Sequence, residues 1–273
     1  MPLNFKQPEK VDKRLKCLLF GAAGVGKTTA AIQFPKPAVI DTERGAEQDQ
    51  YVDAIKERGG AILQTTSFDY VYDQVRALVV EDHPYQTLVI DPLTVLYDDL
   101  ADHYSKKVGT QFSAHFSEAN RDWKRLATLL SSLDMNVVLT CFQKNEWSQG
   151  EMTGRMIADG PKKVDHAVDL VVEVRRVGVD RFGFVHKSRI LDLPSDKEFP
   201  FSYDAIAEAY GRSALEKNAV PASQSLLALM ALIDERDDGP DLLGRICKKK
   251  KVGTLNELTS EEVEGAIEWL TNA

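Results

Sequence analysis

A glycine-rich octapeptide limits what this chain can fold into more than any other feature. Residues 21–28 read Gly21, Ala22, Ala23, Gly24, Val25, Gly26, Lys27 and Thr28, a complete GxxxxGK[ST] element, and they directly follow the apolar run Cys17-Leu18-Leu19-Phe20. Such an element works only where a strand ends just before it and a helix begins just after. Its backbone N–H groups then curl toward one point, and the helix N-terminus faces the same point. Both flanks fit that requirement. The group that belongs at such a point is a polyphosphate. Gly26 lets the backbone approach it closely, Lys27 reaches the β- and γ-phosphates, the Thr28 hydroxyl is placed to ligate Mg²⁺, and Thr29 continues the first helical turn. The motif predicts a nucleotide as ligand, with Mg²⁺ beside it.

The rest of the chain is patterned to carry that motif. Apolar runs of strand length recur at 17–20, 37–40, 87–90, 137–140, 168–174 and 182–186, and three- and four-residue helical spacing fills 27–33, 68–80, 92–104 and 118–133. Strands alternating with helices predict an α/β fold, a mainly parallel central sheet flanked by helices on both faces. The last two strands are separated by too few residues for a helix, which predicts an antiparallel β-hairpin at one edge. A core of this shape ends near Gly211 and Arg212. Residues 1–212 are then the core. Residues 213–273 are a flexible linker and a small C-terminal helical module at 222–234, 242–251 and 260–270, interrupted by Asp237-Asp238-Gly239-Pro240.

Composition narrows the classes. A chain of 273 residues with 43% hydrophobic content holds one α/β domain and a small appendage. No apolar stretch approaches the roughly 20 residues of a membrane span, and the first ten residues lack the apolar segment of a secretory signal. The expected place is the cytoplasm, with no membrane partner. The three cysteines, Cys17, Cys141 and Cys247, lie far apart and predict buried thiols rather than a disulfide framework or metal site. The net charge of −8 argues against general coating by nucleic acid, though a local basic groove is compatible with it.

Two further strand ends carry carboxylates. Leu88-Val89-Ile90-Asp91 delivers Asp91 where it can hold the water shell of Mg²⁺, although strand ends commonly carry polar residues. Val39-Ile40-Asp41-Thr42-Glu43 delivers Glu43 as a candidate general base for an attacking water, with Asp41 as its competitor. In this order the phosphate loop and the two acidic strand ends resemble the RecA and KaiC class of ATPase core, a RecA-like P-loop NTPase fold in which the catalytic glutamate follows the second strand. Asp91 is followed by Pro92 rather than by a glutamate, unlike ordinary AAA+ ATPases. Over about residues 14–210 the chain is similar to phage-encoded RecA-like proteins of the Sak type, which act in single-strand annealing and recombination.

That resemblance implies more. In Val137-Val138-Leu139-Thr140-Cys141-Phe142-Gln143, Gln143 or alternatively Thr140 corresponds to a polar sensor of the γ-phosphate. Lys187 and Arg189, two residues apart in a strand, face one side together. In the family, cations at a comparable strand act on the neighbouring subunit's nucleotide, which implies a homo-oligomer, ring or filament, with shared ATP sites. The stretch 144–163 reads as a long mobile loop at the place where RecA-like proteins contact DNA. Lys144, Arg155, Lys162 and Lys163 are its candidate phosphate contacts and Trp147 its stacking residue, while Glu146, Glu151 and Asp159 oppose that electrostatic case. A second candidate DNA-contact loop carries Lys106, Lys107 and Phe112, although a Lys-Lys pair is also ordinary solvated surface. The implied function is a single-stranded DNA-linked ATPase. The alternatives are an AAA-like DNA motor or loader, for which Arg245 is the candidate lid arginine, and a nucleotide-dependent protein-binding switch. The tail, with Lys248 to Lys251, is a candidate site for DNA or for a recombination or replication protein partner, and equally a solubilising patch on a small helical bundle.

Overall fold

Six parallel strands bring the motif-bearing segments side by side. In this computed structural model the described residues are 13–43, 45, 48–219, 224–234, 236, 239–250, 252, 255 and 258–271. The first strand, β1 (Lys16–Phe20), runs into the glycine loop and α1 (Lys27–Ala31); β2 (Pro37–Asp41), α2 (Asp49–Glu57), β3 (Ala61–Gln64) and α3 (Phe68–Val80) follow. Next come β4 (Thr87–Asp91), α4 (Leu93–Val108), α5 (Ala114–Ser132), β5 (Asn136–Ser148), β6 (Glu151–Asp159), β7 (Leu170–Val177), β8 (Asp180–Ser188), β9 (Glu198–Pro200), α6 (Tyr203–Tyr210) and α7 (Arg212–Leu215). The described residues form a nine-stranded sheet in the order β3-β2-β4-β5-β1-β7-β8-β9, with β6 paired to β5 off that path. Strands β3, β2, β4, β5, β1 and β7 are parallel to their neighbours, and the β7–β8 hairpin and β9 run antiparallel on the far side.

Strand alternation splits the core between two faces. Leu18, Phe20, Ile40, Leu88, Ile90, Val137 and Leu139 pack with α3, α4 and α5, whereas Leu19, Val39, Val89, Val138 and Val172 pack with α1, α2 and α6. Ser67 and Ser202 begin α3 and α6 by accepting hydrogen bonds from Tyr70 N and Ala205 N. Helix α1 is shorter than the predicted 27–33, because Gln33 and Phe34 tighten into bonds to Ala30 O and Ala31 O before Pro35.

The stretch expected as a long mobile loop is instead paired backbone. Strand β5 continues well past the sheet, and β6 returns along it with Gln143 opposite Ala158 and Lys144 opposite Ile157, the turn using positive φ at Gln149 and Gly150. The exposed polar side chains hide this hairpin from a hydrophobic-period search.

At the amino edge of the sheet, Arg14 donates to the carbonyls of Ala214, Lys217 and Asn218, Gln86 to that of Glu216, and Asn136 to that of Leu215. Residues 214–218 are therefore fastened to the core. This corrects the expectation of a flexible linker for that segment; residues 220–223 lie outside the described residues. Beyond them, α8 (Gln224–Asp234), α9 (Gly239–Lys250) and α10 (Ser260–Thr271) follow. Leu229, Ile233, Ile246, Val263 and Leu270 of these helices share an apolar cluster with Trp123 and Leu126 of α5. Of the predicted tail features, Ala222, Asp237, Asp238 and Lys251 lie outside the described residues.

Candidate nucleotide-binding site

The glycine loop occupies the carboxyl edge of the sheet, and its glycines are forced by their surroundings. A Cβ on Gly21 would lie 2.4 Å from the Val174 carbonyl oxygen, so β7 passes too close for any side chain there. Gly26 has φ of 101°, in the left-handed region, and a Cβ on it would lie 2.5 Å from Nε of Arg181. Lys27 lies across the loop, with Nζ donating to the carbonyls of Gly21 (2.9 Å) and Ala22 (2.8 Å). Ala22, Ala23 and Gly24 form the exposed rim, Val25 is buried beneath it, and Thr29 is half-buried on α1.

Asp91 is the centre of the site. It is 8% exposed at the end of β4, and its carboxylate accepts from the Thr28 hydroxyl at 2.6 Å and from the Thr140 hydroxyl of β5. Burial pushes its carboxyl above the ordinary range, and the bonds from Thr140 and Thr28 pull against that shift. A hydroxyl and a carboxylate this close, at the start of a helix that follows a phosphate-shaped loop, are a donor set that suits Mg²⁺, a hard cation that prefers oxygen ligands. The residues present fit nucleotide and metal together.

The acidic turn after β2 is held against the same edge. Asp41, opposite Asp91 in the sheet register, accepts from the backbone N–H groups of Glu43 (3.1 Å) and Gly45 (3.2 Å), and the Thr42 hydroxyl donates to the Pro92 carbonyl. Asp41 thus shapes the turn from inside while Glu43 is exposed. The Glu43 carboxyl is raised by partial burial and then by the charges of Asp91 and Asp41, with Lys27 opposing. Lys27 is lowered by burial, with Asp91 chief among the groups that oppose it. These shifts join Glu43, Asp91 and Lys27 in one electrostatic site, and a carboxylate moved toward neutrality is better suited to accept a proton.

Other candidates fall elsewhere. By alternation along β5, Thr140 and Phe142 face α1, with Lys27 Nζ 5.8 Å from the Phe142 ring centre, whereas Gln143 falls with Leu139 and Cys141 on the opposite face. Thr140, the alternative sensor, is the polar β5 residue that touches the site. Lys187 donates to the carbonyls of Asp165 and Val168, and Arg189 to Asp169 at 2.9 Å. Arg189 lies one residue past the end of β8, so the argument that strand alternation puts it on one face with Lys187 does not hold. Both lie beside the amino-terminal half of β7, away from their own phosphate loop. Lys144 is paired with Asp159 at 2.9 Å, and Trp147, Arg155, Lys162 and Lys163 are exposed. Lys106 and Lys107 belong to the last turn of α4 rather than to a loop, and Phe112 is exposed with φ of 51°. Arg245 stacks over Trp269 within the tail. Cys17, Cys141 and Cys247 are buried.

Two contributions escaped sequence reasoning. Arg181, at the start of β8, donates from Nε to the Val25 carbonyl at 3.1 Å and braces the phosphate loop from a strand 156 residues away. Glu173, 5% exposed, is gripped by Arg175 through two bonds and by His186 at 2.9 Å. No local pattern marks Arg181; the Glu173 network had one visible trace, a charge inside the apolar run 168–174.

A glycine loop closing on a lysine, with a hydroxyl and carboxylate beside it on a mostly parallel sheet, defines a nucleotide-binding protein of the P-loop class. A family model described as an AAA domain matches residues 13–200, more than half of the chain, and the protein belongs to that family. Among solved structures, the chain is similar to "Crystal structure of the RadB recombinase" at 15% identity and a TM-score of 0.45, covering 77% of this chain and 91% of that one. It is also similar to "The Structure Of A DnaB-Like Replicative Helicase And Its Interactions With Primase", at 14% identity and a TM-score of 0.43, covering 65% of this chain and 54% of that one. No curated protein matches the chain. Among the described residues, no helix is long and apolar enough to cross a membrane.

Proposed function

We propose that the protein is a Mg²⁺-dependent ATPase that acts on single-stranded DNA in recombination or single-strand annealing of the phage Sak type, with residues 1–212 as its ATPase core, residues 214–218 fastened to that core, and the helices from residue 224 onward as a partner-binding module. The observation that carries the ATPase reading is the Thr28–Asp91–Thr140 cluster with Glu43 in the same electrostatic field. Backbone N–H groups of residues 21–28 and the Lys27 ammonium hold the phosphates, Thr28 and Asp91 hold the metal, and Glu43 orients and deprotonates water. Bound Mg²⁺ supplies neutralisation of the phosphate charge as it develops. Thr140 reports on the metal ligand through its bond to Asp91, and β5 carries that contact outward into the hairpin.

The DNA reading rests on exposed Trp147, Arg155, Lys162 and Lys163 around that hairpin and on Phe112 at the α4–α5 connection. Arg189 lies exposed and away from its own phosphate loop, and a head-to-tail homo-oligomer gives it a neighbour's nucleotide to act on, Lys187 joining it only by releasing the carbonyls of Asp165 and Val168. The test is steady-state ATP hydrolysis with Mg²⁺ across protein concentrations, without DNA, with a single-stranded oligonucleotide and with duplex. Stimulation by single strands that steepens with protein concentration is expected. Slow turnover indifferent to DNA would instead favour the nucleotide-dependent switch.

A further inference from the structure

A cavity of about 390 Å³ lies between the face of β1, β7 and β8 and the base of β6, on the side of the sheet away from α1. Its volume falls within the range of small-ligand sites. The floor is apolar and aromatic: Leu18, Phe20 and Val171 from the sheet, Ala158 from β6, and the His186 ring, which meets Phe20 edge-on with centroids 5.0 Å apart. The rim is cationic. Arg155, Lys162 and Lys163 line it, are exposed, and have no ion pair among the described residues, while Asp165 is the single carboxylate in the lining.

The rim is also built rather than incidental. Lys163 holds φ of 63°, a conformation residues other than glycine seldom adopt. Its flanks are fixed by Lys162 N donating to the Asn120 side chain at 3.1 Å and His166 N donating to the Lys163 carbonyl at 3.0 Å. Lys187 spends its ammonium on the carbonyls of Asp165 and Val168, so it secures the wall rather than adding to the open charge.

A ligand that satisfies both surfaces combines a flat apolar plate with at least two negative charges. An inorganic anion leaves the floor unused, and an uncharged ring leaves the cations unused. We propose that the cavity receives one base of a single-stranded DNA, its flanking phosphates resting on Arg155, Lys162 and Lys163. This rests on the DNA-binding reading above and names the part of the molecule that holds the strand. Phe20, the residue immediately before Gly21, closes the floor from within the core at 1% exposure, so the base meets the accessible His186 and Ala158 first.

The experiment is fluorescence anisotropy of the full chain with a labelled oligodeoxynucleotide, comparing wild type, Ala158→Phe and the double variant Lys162→Gln/Lys163→Gln. Filling the cavity with Ala158→Phe is expected to weaken binding at least tenfold while ATP binding stays unchanged. Abasic positions in the oligonucleotide weaken wild type but not the filled variant. Should Ala158→Phe fail to fold, the double variant, altered only on the surface, decides through salt dependence. Its slope of log affinity against log salt falls by about 1.4, the value for two single-strand phosphate contacts. Wild-type binding that is indifferent to filling, to abasic positions and to the double variant overturns the cavity and leaves the DNA reading standing. Absence of single-strand binding by wild type overturns both. Binding of free dTMP that filling abolishes, without single-strand binding, assigns the cavity to a free nucleotide and overturns the DNA source.

Discussion

At the amino edge of the sheet, the buried side chains of Arg14 and Asn136, with Gln86, direct their hydrogen bonds at backbone carbonyls of residues 214–218 and of the sheet itself. At the carboxyl edge, Thr28, Asp91 and Thr140 bond to one another, and Lys27 bonds to the loop it belongs to. Both edges bury polar groups and bond nearly all of them, the Asn136 Oδ1 at the amino edge being left without a partner among the described residues, so burial does not separate a structural cluster from a functional one. The partners do. Groups at the amino edge close a permanent junction between distant segments. Those at the carboxyl edge are side chains from three elements meeting at Asp91, and Lys27 on its own loop, contacts that a phosphate oxygen or a metal ion can replace without unfolding anything.

The largest effect that tests this contrast is Glu43→Gln. Turnover is expected to fall by about 10²- to 10⁴-fold with ATP affinity retained, the range of general-base catalysis. A rate near wild type, measured by phosphate release, would remove Glu43 from the carboxyl-edge chemistry. Next comes Arg14→Ala, which breaks the ion pair with Asp134 at 2.9 Å and the bonds to the carbonyls of Ala214, Lys217 and Asn218, and is expected to cost about 3–5 kcal/mol in urea unfolding with ATP affinity unchanged per folded molecule. A loss of affinity there would mean that the two edges are coupled. Smaller again, Thr140→Val removes one hydroxyl from Asp91. Affinity for Mg²⁺ and ATP is expected to drop about tenfold, roughly the net worth of a hydrogen bond to a charged group, while the melting temperature hardly moves. A large stability loss instead would make Thr140 a structural residue.

The smallest is a pH effect at Glu173. Arg175 and His186 hold its carboxyl below the ordinary value of 4.5 against the opposing effect of burial, so its contribution is complete above that value and disappears as pH falls through the lower folded one. Glu173→Gln is expected to lose about 1 kcal/mol at neutral pH and to show a flatter stability profile below about pH 4.5 than wild type. Parallel acid profiles for the two proteins would show that the pairing does not contribute.

Legibility in the sequence followed the same division. The phosphate loop, the carboxylates ending β2 and β4 and the apolar strands β1, β4 and β7 announce themselves, because local pattern and buried position coincide there. Strand β3 is four residues of alternating burial after Gly59-Gly60, too short to carry a period. The outer half of β5 with β6 carries mostly polar, exposed side chains, so only its hydrogen-bonded partner reveals it as strand. Arg181 on Val25 and Arg14 on Ala214 bridge 156 and 200 residues. No local signal encodes contacts of that span, and they decide where the phosphate loop is braced and where the tail is anchored.

One strand links two of these places. Strand β8 carries Arg181, its second residue, at the chain's own phosphate loop and ends beside Arg189, eight residues later, which is roughly 25 Å of extended backbone. In an assembly where Arg189 serves the adjoining protomer, that stiff span acts as a gauge block between successive nucleotides. The pitch of the polymer would then be set by the length of one β-strand, and inserting or deleting a pair of residues in β8 would change the repeat measured by electron microscopy.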